Sequence, residues 1–142
     1  LPEPKLERTL AIIKPDAVGR GLAGDILSRI DRAGFSVIAI KSLRLTQFQA
    51  EGFYAVHRGK GFFGELTSFM SSGKIIVMVL EAPGAIARWR DTMGATDPAK
   101  AVPGSIRRDL GTSIQNNCTH GSDAPDTAAL EISYFFAAYE LL

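Results

Sequence analysis

Ile75-Ile76-Val77-Met78-Val79-Leu80 is the stretch whose reading decides the fold. It is apolar at every position, so it reads as a central strand buried on both faces of a sheet. A helix follows from about Pro83 to Met93, with Ile86 and Trp89 on one face. Upstream lie two more candidate strands. Thr9-Leu10-Ala11-Ile12-Ile13 stops at Lys14-Pro15, because Pro15 cannot donate to a ladder and biases Lys14 away from helix. Phe35 to Leu43 is rich in Val and Ile. Between these two, Leu22, Ile26, Leu27 and Ile30 recur at helical spacing, and Gly34 suits the helix C-terminus. Thr46 is placed to cap a helix running through Phe53 and Tyr54. Gly59 and Gly61 break that pattern, and Phe62 to Ser71 reads as a second short helix.

Downstream, no period survives from Gly94 to about Gln115. That predicts a long irregular loop, a kind usually functional or mobile. A short strand through Cys118 and Thr119 leads to His120, and Pro125 starts a final helix with Ile132 and Phe135 toward the core. The order of elements predicts an α+β fold, a ferredoxin-like α/β sandwich. Its four-stranded antiparallel sheet would carry helices on one face.

The 142 residues are enough for one domain, 1–142, with residues 1–6 as a loose arm. Sixteen basic residues against fifteen acidic ones leave a net charge of +1. That gives no one-sided basic surface, so nucleic acid is not expected as the primary partner. One cysteine, Cys118, rules out an internal disulfide and fits a reducing compartment. The longest apolar run is far too short to span a bilayer. The start, Leu1 to Lys5, has no cleavable apolar core. The expectation is a cytoplasmic protein without a membrane partner.

The chemistry concentrates in Asn117-Cys118-Thr119-His120-Gly121-Ser122-Asp123. Imidazole is the side chain best poised to act as nucleophile or proton carrier near neutral pH. Here it stands where a strand hands over to a helix N-terminus, and such termini favour anions. The pattern points to a histidine that meets a phosphate. A lone histidine is more often structural, and Ser122 and Asp123 also suit plain helix caps. Gly121 would let the backbone come close to a ligand. A zinc site is a weaker idea, since His57 is the only other histidine. Glu131, flanked by Leu130 and Ile132, is either a solvated helix glutamate or the carboxylate that fixes the imidazole's tautomer. Lys14, Arg90 and Arg107 are singly surface charges; together they suit a polyphosphate. Thr96 and Asn117 would add neutral donors. Tyr54 and Phe62 flank the glycine break. Aromatics there are usually core, but Phe62 beside Gly61 is placed to stack on a base. No Walker A loop or dinucleotide fingerprint is present.

Taken in order, these blocks resemble the nucleoside diphosphate kinase family, bacterial type, from Glu7-Arg8-Thr9 to Tyr134-Phe135-Phe136. The resemblance rests on Ile13-Lys14-Pro15-Asp16, Gly52-Phe53-Tyr54-Ala55, Phe62-Phe63, Met93-Gly94-Ala95-Thr96-Asp97-Pro98, Pro103-Gly104-Ser105-Ile106-Arg107 and, most specifically, Asn117 to Asp123. It implies transfer of the γ-phosphate of a nucleoside triphosphate, such as ATP, to a nucleoside diphosphate. The route would be ping-pong through a phosphohistidine on Nδ1 of His120. A backbone carbonyl would hold the other ring nitrogen. Glu131 and Ser122 would orient the site, Lys14 would contact the ribose and the phosphate, and Tyr54 would sit beside the transferring group. Asn117 would bind the sugar, and Arg90, Thr96 and Arg107 the phosphates. Phe62, with Leu66 beside it, would stack on the base. Mg2+ would arrive with the nucleotide, with no direct protein ligand and with Asp123 touching it through water.

The resemblance also implies a homo-oligomer. The short tail after Phe136 favours a tetramer over a hexamer. Asp97 stands where asparagine is common and is expected to weaken nucleotide affinity modestly. Gly61 stands where proline is usual, and Gln115-Asn116 is an unusual lead-in. The alternative is a non-catalytic ferredoxin-like nucleotide-binding module, which would not need His120 and Glu131 together.

Overall fold

The computed structural model describes residues 4–142. Four strands, β1 (Leu6–Ile13), β2 (Ser36–Leu43), β3 (Ile75–Pro83) and β4 (Thr119–Gly121), form one sheet in the order β2-β3-β1-β4. Every neighbouring pair is antiparallel. This is the ferredoxin-like order, with the two longest-buried strands in the centre.

Among the described residues seven α-helices surround the sheet: α1 (Pro15–Gly19), α2 (Ala23–Arg32), α3 (Gln47–Phe53), α4 (Phe63–Met70), α5 (Ala85–Met93), α6 (Ile106–Leu110) and α7 (Pro125–Phe135). They cover both faces, not one as the element order predicted. Alternation along β1 shows why. Ala11 and Ile13 pack with Ile26 and Ile30 of α2 and Trp89 of α5, while Leu10 and Ile12 pack with Ala50 of α3, Met70 of α4 and Ile132 of α7. A strand with five consecutive fully buried residues, Thr9 to Ile13, needs a layer on each side.

Other boundaries also move. β1 begins at Leu6, inside the span assigned to a loose arm, and Lys5 accepts a hydrogen bond from the Gly84 N–H at 3.0 Å. Residues 1–3 of that arm lie outside the described residues. The long loop contains a 3-10 turn at Pro98–Lys100, capped by Asp97, and α6, capped by Ser105. Both are too short to leave a hydrophobic period. The last helix does start at Pro125. Its open N-terminus is closed by Thr127, whose Oγ1 accepts from the Ala124 N–H at 3.0 Å. Neither Ser122 nor Asp123 caps it. Both side chains are therefore free for the cleft and its floor.

Candidate active site

β4 is only three residues long, and it carries His120 opposite Ile12 of β1. The imidazole Nε2 lies 2.8 Å from Glu131 Oε1, two turns into α7. Ser122 Oγ donates to the same carboxylate oxygen at 3.0 Å and accepts from the Leu10 N–H at 3.2 Å. A chain of hydrogen bonds thus runs from the backbone of β1 through Ser122 to Glu131 and the ring. An ionised carboxylate only accepts, so Nε2 carries the proton and Nδ1 keeps its lone pair. Nδ1 has no hydrogen-bond partner among the described residues. The family pattern predicts a backbone carbonyl at the other ring nitrogen; here a carboxylate holds it.

The backbone of His120 is pinned from the far side. Trp89 Nε1 donates to its carbonyl at 3.1 Å. Gly121 is what lets α5 come this close: a Cβ there would stand 2.5 Å from Trp89 Cδ1 and 2.7 Å from Met93 Cε. Gly121 also lines the cleft in front of the ring, so its bare backbone lies between the indole and that cleft. Phe53 meets the His120 ring edge-on at 5.5 Å between centroids, and Tyr54 at 6.2 Å. Burial, and then the charge of Glu131, push the Tyr54 phenol far above its ordinary range, so it stays protonated.

In front of His120 opens a cleft of about 740 Å³. Lys14, Tyr54, Leu66, Arg90, Thr96, Arg107, Asn117 and Asp123 all line it with His120. Glu131 and Ser122 lie beneath the ring and not in the cleft wall. Phe62 stands outside the wall, half exposed, with its ring 5.3 Å from that of His57, which does line the cleft. Lys100 and His57 are cleft residues that sequence reasoning did not assign; an isolated lysine and a second histidine carry no motif. The lining holds Lys14, Arg90, Lys100 and Arg107 against Asp91 and Asp123, an excess of cations suited to a polyanion.

The cations are held in different ways. Lys14, at the end of β1, is buried, and its Nζ donates to Asn117 Oδ1 at 2.8 Å and to the Gln115 carbonyl at 2.9 Å. Burial lowers its pKa to about 8. The odd lead-in residue Gln115 thus supplies a backbone acceptor to the site. Asn117 in turn donates to the Thr96 carbonyl at 3.1 Å. Arg107 donates to the carbonyls of Gly94 at 3.1 Å and Thr119 at 2.9 Å, and its buried Nε has no partner. Burial and the like charge of Arg90 press its pKa down. Arg90 is half exposed and pairs with Asp123 at 2.6 Å. The Asp97 carboxylate accepts from the Ala99 N–H at 3.0 Å and caps the 3-10 turn that follows.

A half-buried histidine with one nitrogen anchored and one free, facing a cationic cleft, is built for phosphate chemistry. Comparison with known proteins agrees. The family model described as nucleoside diphosphate kinase matches residues 7–141. The chain belongs to the nucleoside diphosphate kinase family. A nucleoside diphosphate kinase of Desulfotalea psychrophila is 63% identical over 96% of this chain and 100% of its own. One from Syntrophotalea carbinolica is 61% identical over the same shares. Among solved structures, the Aquifex aeolicus nucleoside diphosphate kinase superposes with a TM-score of 0.94 at 44% identity, covering 97% of this chain and 100% of that one. A halophilic nucleoside diphosphate kinase from Halobacterium salinarum, solved in complex with CDP, gives 0.92 at 41% identity, with 97% and 92% covered. Membership in this family disfavours a module that merely holds nucleotide.

No helix among the described residues is long and apolar enough to cross a membrane.

Proposed function

We propose that this chain moves the terminal phosphate of a nucleoside triphosphate onto a nucleoside diphosphate through a phosphohistidine on Nδ1 of His120. The observation that carries this reading is the Glu131 anchor at 2.8 Å on Nε2, which leaves Nδ1 as the free nucleophile. In the first half, the Nδ1 lone pair attacks the γ-phosphorus. The bond from that phosphorus to the β–γ bridging oxygen breaks, and the diphosphate leaves with the electron pair. In the second half, a terminal oxygen of the acceptor diphosphate attacks the same phosphorus and the N–P bond breaks. Both halves need in-line positioning and charge neutralisation, which is what a fixed cationic cleft supplies.

Lys14, Arg107 and Arg90 neutralise the moving phosphoryl group and its neighbours, with Thr96 and Asn117 as neutral donors. Arg90 trades Asp123 for phosphate as the nucleotide enters. Glu131 and Ser122 stabilise the charged imidazole while the N–P bond forms. Tyr54, protonated, stands beside the transferring group. Leu66 and Phe62 offer the base an apolar wall and a ring, a recognition tolerant of base identity. The nucleotide enters as its Mg2+ complex. Among the described residues no group of three His, Cys, Asp or Glu is clustered to hold a metal. The ion is carried by the nucleotide phosphates, with Asp123 in reach through water. The whole chain, 1–142, acts as one domain. We also infer a cytoplasmic homo-oligomer, a tetramer in preference to a hexamer. Exposed Val37 and Ile40 on the outer strand β2 support self-association.

The test is to mix the protein with γ-labelled ATP and magnesium, then chase with unlabelled GDP. Label that enters the protein, survives alkali, is lost in acid and leaves as GTP is the expected result. No label on the protein and none in GTP overturns the reading. Light scattering reads the assembly against a chain of 15.3 kDa.

A further inference from the structure

Cys118 is the one non-glycine among the described residues with a positive φ, at +74°. Residues bearing a Cβ avoid that region. The Thr119 N–H donates to the Asn117 carbonyl at 2.9 Å, closing a three-residue γ-turn of the rarer hand around Cys118. This turn has a clear geometric result. It sends Asn117 into the cleft and starts β4 one residue before His120. Something must hold it against the strain.

The thiol side chain does not. It is fully buried among apolar groups, and burial pushes its pKa up to about 11, so it is an inert filler. The restraint comes from the start of α1. The Cys118 N–H donates to Asp16 Oδ2 at 3.1 Å, and the Cys118 carbonyl accepts from the Lys14 N–H at 2.8 Å. Both backbone polar groups of the strained residue are thus held by Lys14-Pro15-Asp16. The Lys14 contact is backbone to backbone and persists whatever the side chain. Asp16 is the only side chain in the clasp. It does not line the cleft, and its other oxygen, Oδ1, is buried without a partner. A carboxylate kept there with one oxygen idle serves one N–H.

We propose that Asp16 is a positioning residue for phosphoryl transfer: its carboxylate clamps the left-handed turn at Cys118 and so sets where Asn117 and His120 stand. The proposal rests on the reading of His120 as the phosphate acceptor. Asp16 touches no reacting atom; beyond the turn its charge only helps Lys14 keep its proton, so labelling is read at about pH 6.5, below the Lys14 pKa of about 8. Any acceptor of the same reach therefore replaces it, and a residue that tolerates positive φ makes it unnecessary.

Two readouts test this. The chain has one cysteine, so its reaction with a thiol reagent reports opening of the turn without any catalysis. Single-turnover labelling from γ-labelled ATP reports the transfer. Asp16→Ala is expected to speed thiol modification and slow labelling, each by about tenfold, the worth of one hydrogen bond to a charged acceptor. Asp16→Asn is expected to restore both to within about twofold, because its Oδ1 still accepts. Adding Cys118→Gly to Asp16→Ala is expected to recover the labelling rate. Parent-like behaviour of Asp16→Ala in either readout, or Asp16→Asn no better than Asp16→Ala, overturns the proposal. If Asp16→Ala does not fold alone, the comparison is made within Cys118→Gly. There it is expected to fold and label at the Cys118→Gly rate, and a further tenfold loss overturns the clamp. If the parent takes no label, the kinase reading fails, while the thiol rates still judge the clamp.

Discussion

Gly121→Ala places one methyl group against the indole that holds the nucleophile's backbone. The added carbon would sit 2.5 Å from Trp89 Cδ1, 2.8 Å from Trp89 Nε1 and 2.7 Å from Met93 Cε. Comfortable carbon contacts lie near 3.5–4.0 Å, so roughly 1 Å of movement is needed. Trp89 cannot supply it. It is fully buried, with the Phe35 ring edge-on at 5.9 Å behind it. Met93 Cε is the end of a flexible side chain and can yield. The burden falls on β4, which is tied to β1 by only three residue pairs. Overpacking of this kind costs about 1–3 kcal/mol. For a chain of this size that lowers Tm by roughly 2–4 °C per kcal/mol. The larger effect is on chemistry, because a displacement of about 1 Å at a reacting group can cost on the order of a hundredfold. Rapid-quench labelling of His120 from γ-labelled ATP measures it, with calorimetry alongside. The expected result is a rate loss far beyond what the folded fraction explains. A labelling rate within about twofold of the parent refutes the claim that the Trp89 contact sets the position of His120.

Glu131→Gln keeps the shape but removes the charge that fixes the proton on Nε2. Exchanging a charged for a neutral acceptor costs about 1.4 kcal/mol, so labelling of His120 is expected to slow about tenfold; an unchanged rate counts against the anchor. Lys14, with its pKa lowered to about 8 by burial, predicts that kcat/KM falls as pH rises through 8. Lys14→Gln should erase that limb of the profile. The same shift has a stability sign. Between about 8 and the ordinary 10.5 the unfolded chain holds the proton and the folded one does not, so stability rises with pH across that window. Urea midpoints at pH 7.5 and 9.5 for parent and Lys14→Gln isolate this contribution. Thr46→Ala opens the capping box that Thr46 shares with Gln49, at 3.1 and 2.9 Å. It is expected to cost about 1 kcal/mol in a urea melt and to leave His120 labelling untouched.

Much of the fold was legible because burial leaves long apolar runs. Ile75–Leu80 announced β3, and the spacing from Leu22 to Ile30 announced α2. The same reasoning applied to Leu10–Ile13 would have called for helices on both faces, since four apolar residues in succession cannot all point to one layer. The short elements were not legible: α1 and α6 have five residues each, too few to show a period. The start of β4 falls after Cys118 and not at it, because nothing in the letters marks Cys118 as left-handed. At the site, charged and aromatic residues were visible as types, and the structure gathers them in and around one cleft. What sequence could not give is who holds whom. The Glu131 contact was one of two open readings, since pairing across β4 and α7 has no sequence period. The Leu10 N–H, the Gln115 carbonyl and the Trp89 indole act through backbone groups or through space, and composition is silent about both.

The contact between Trp89 and the His120 carbonyl has a practical consequence. The chain holds one tryptophan, and its indole N–H is bonded to the very residue that takes up phosphate in the proposed cycle. Indole emission responds to the polarity and hydrogen bonding of its surroundings. A charge placed on the imidazole is therefore relayed to a native fluorophore one peptide group away. Each half of the reaction should write its own optical trace, in unlabelled protein and in real time.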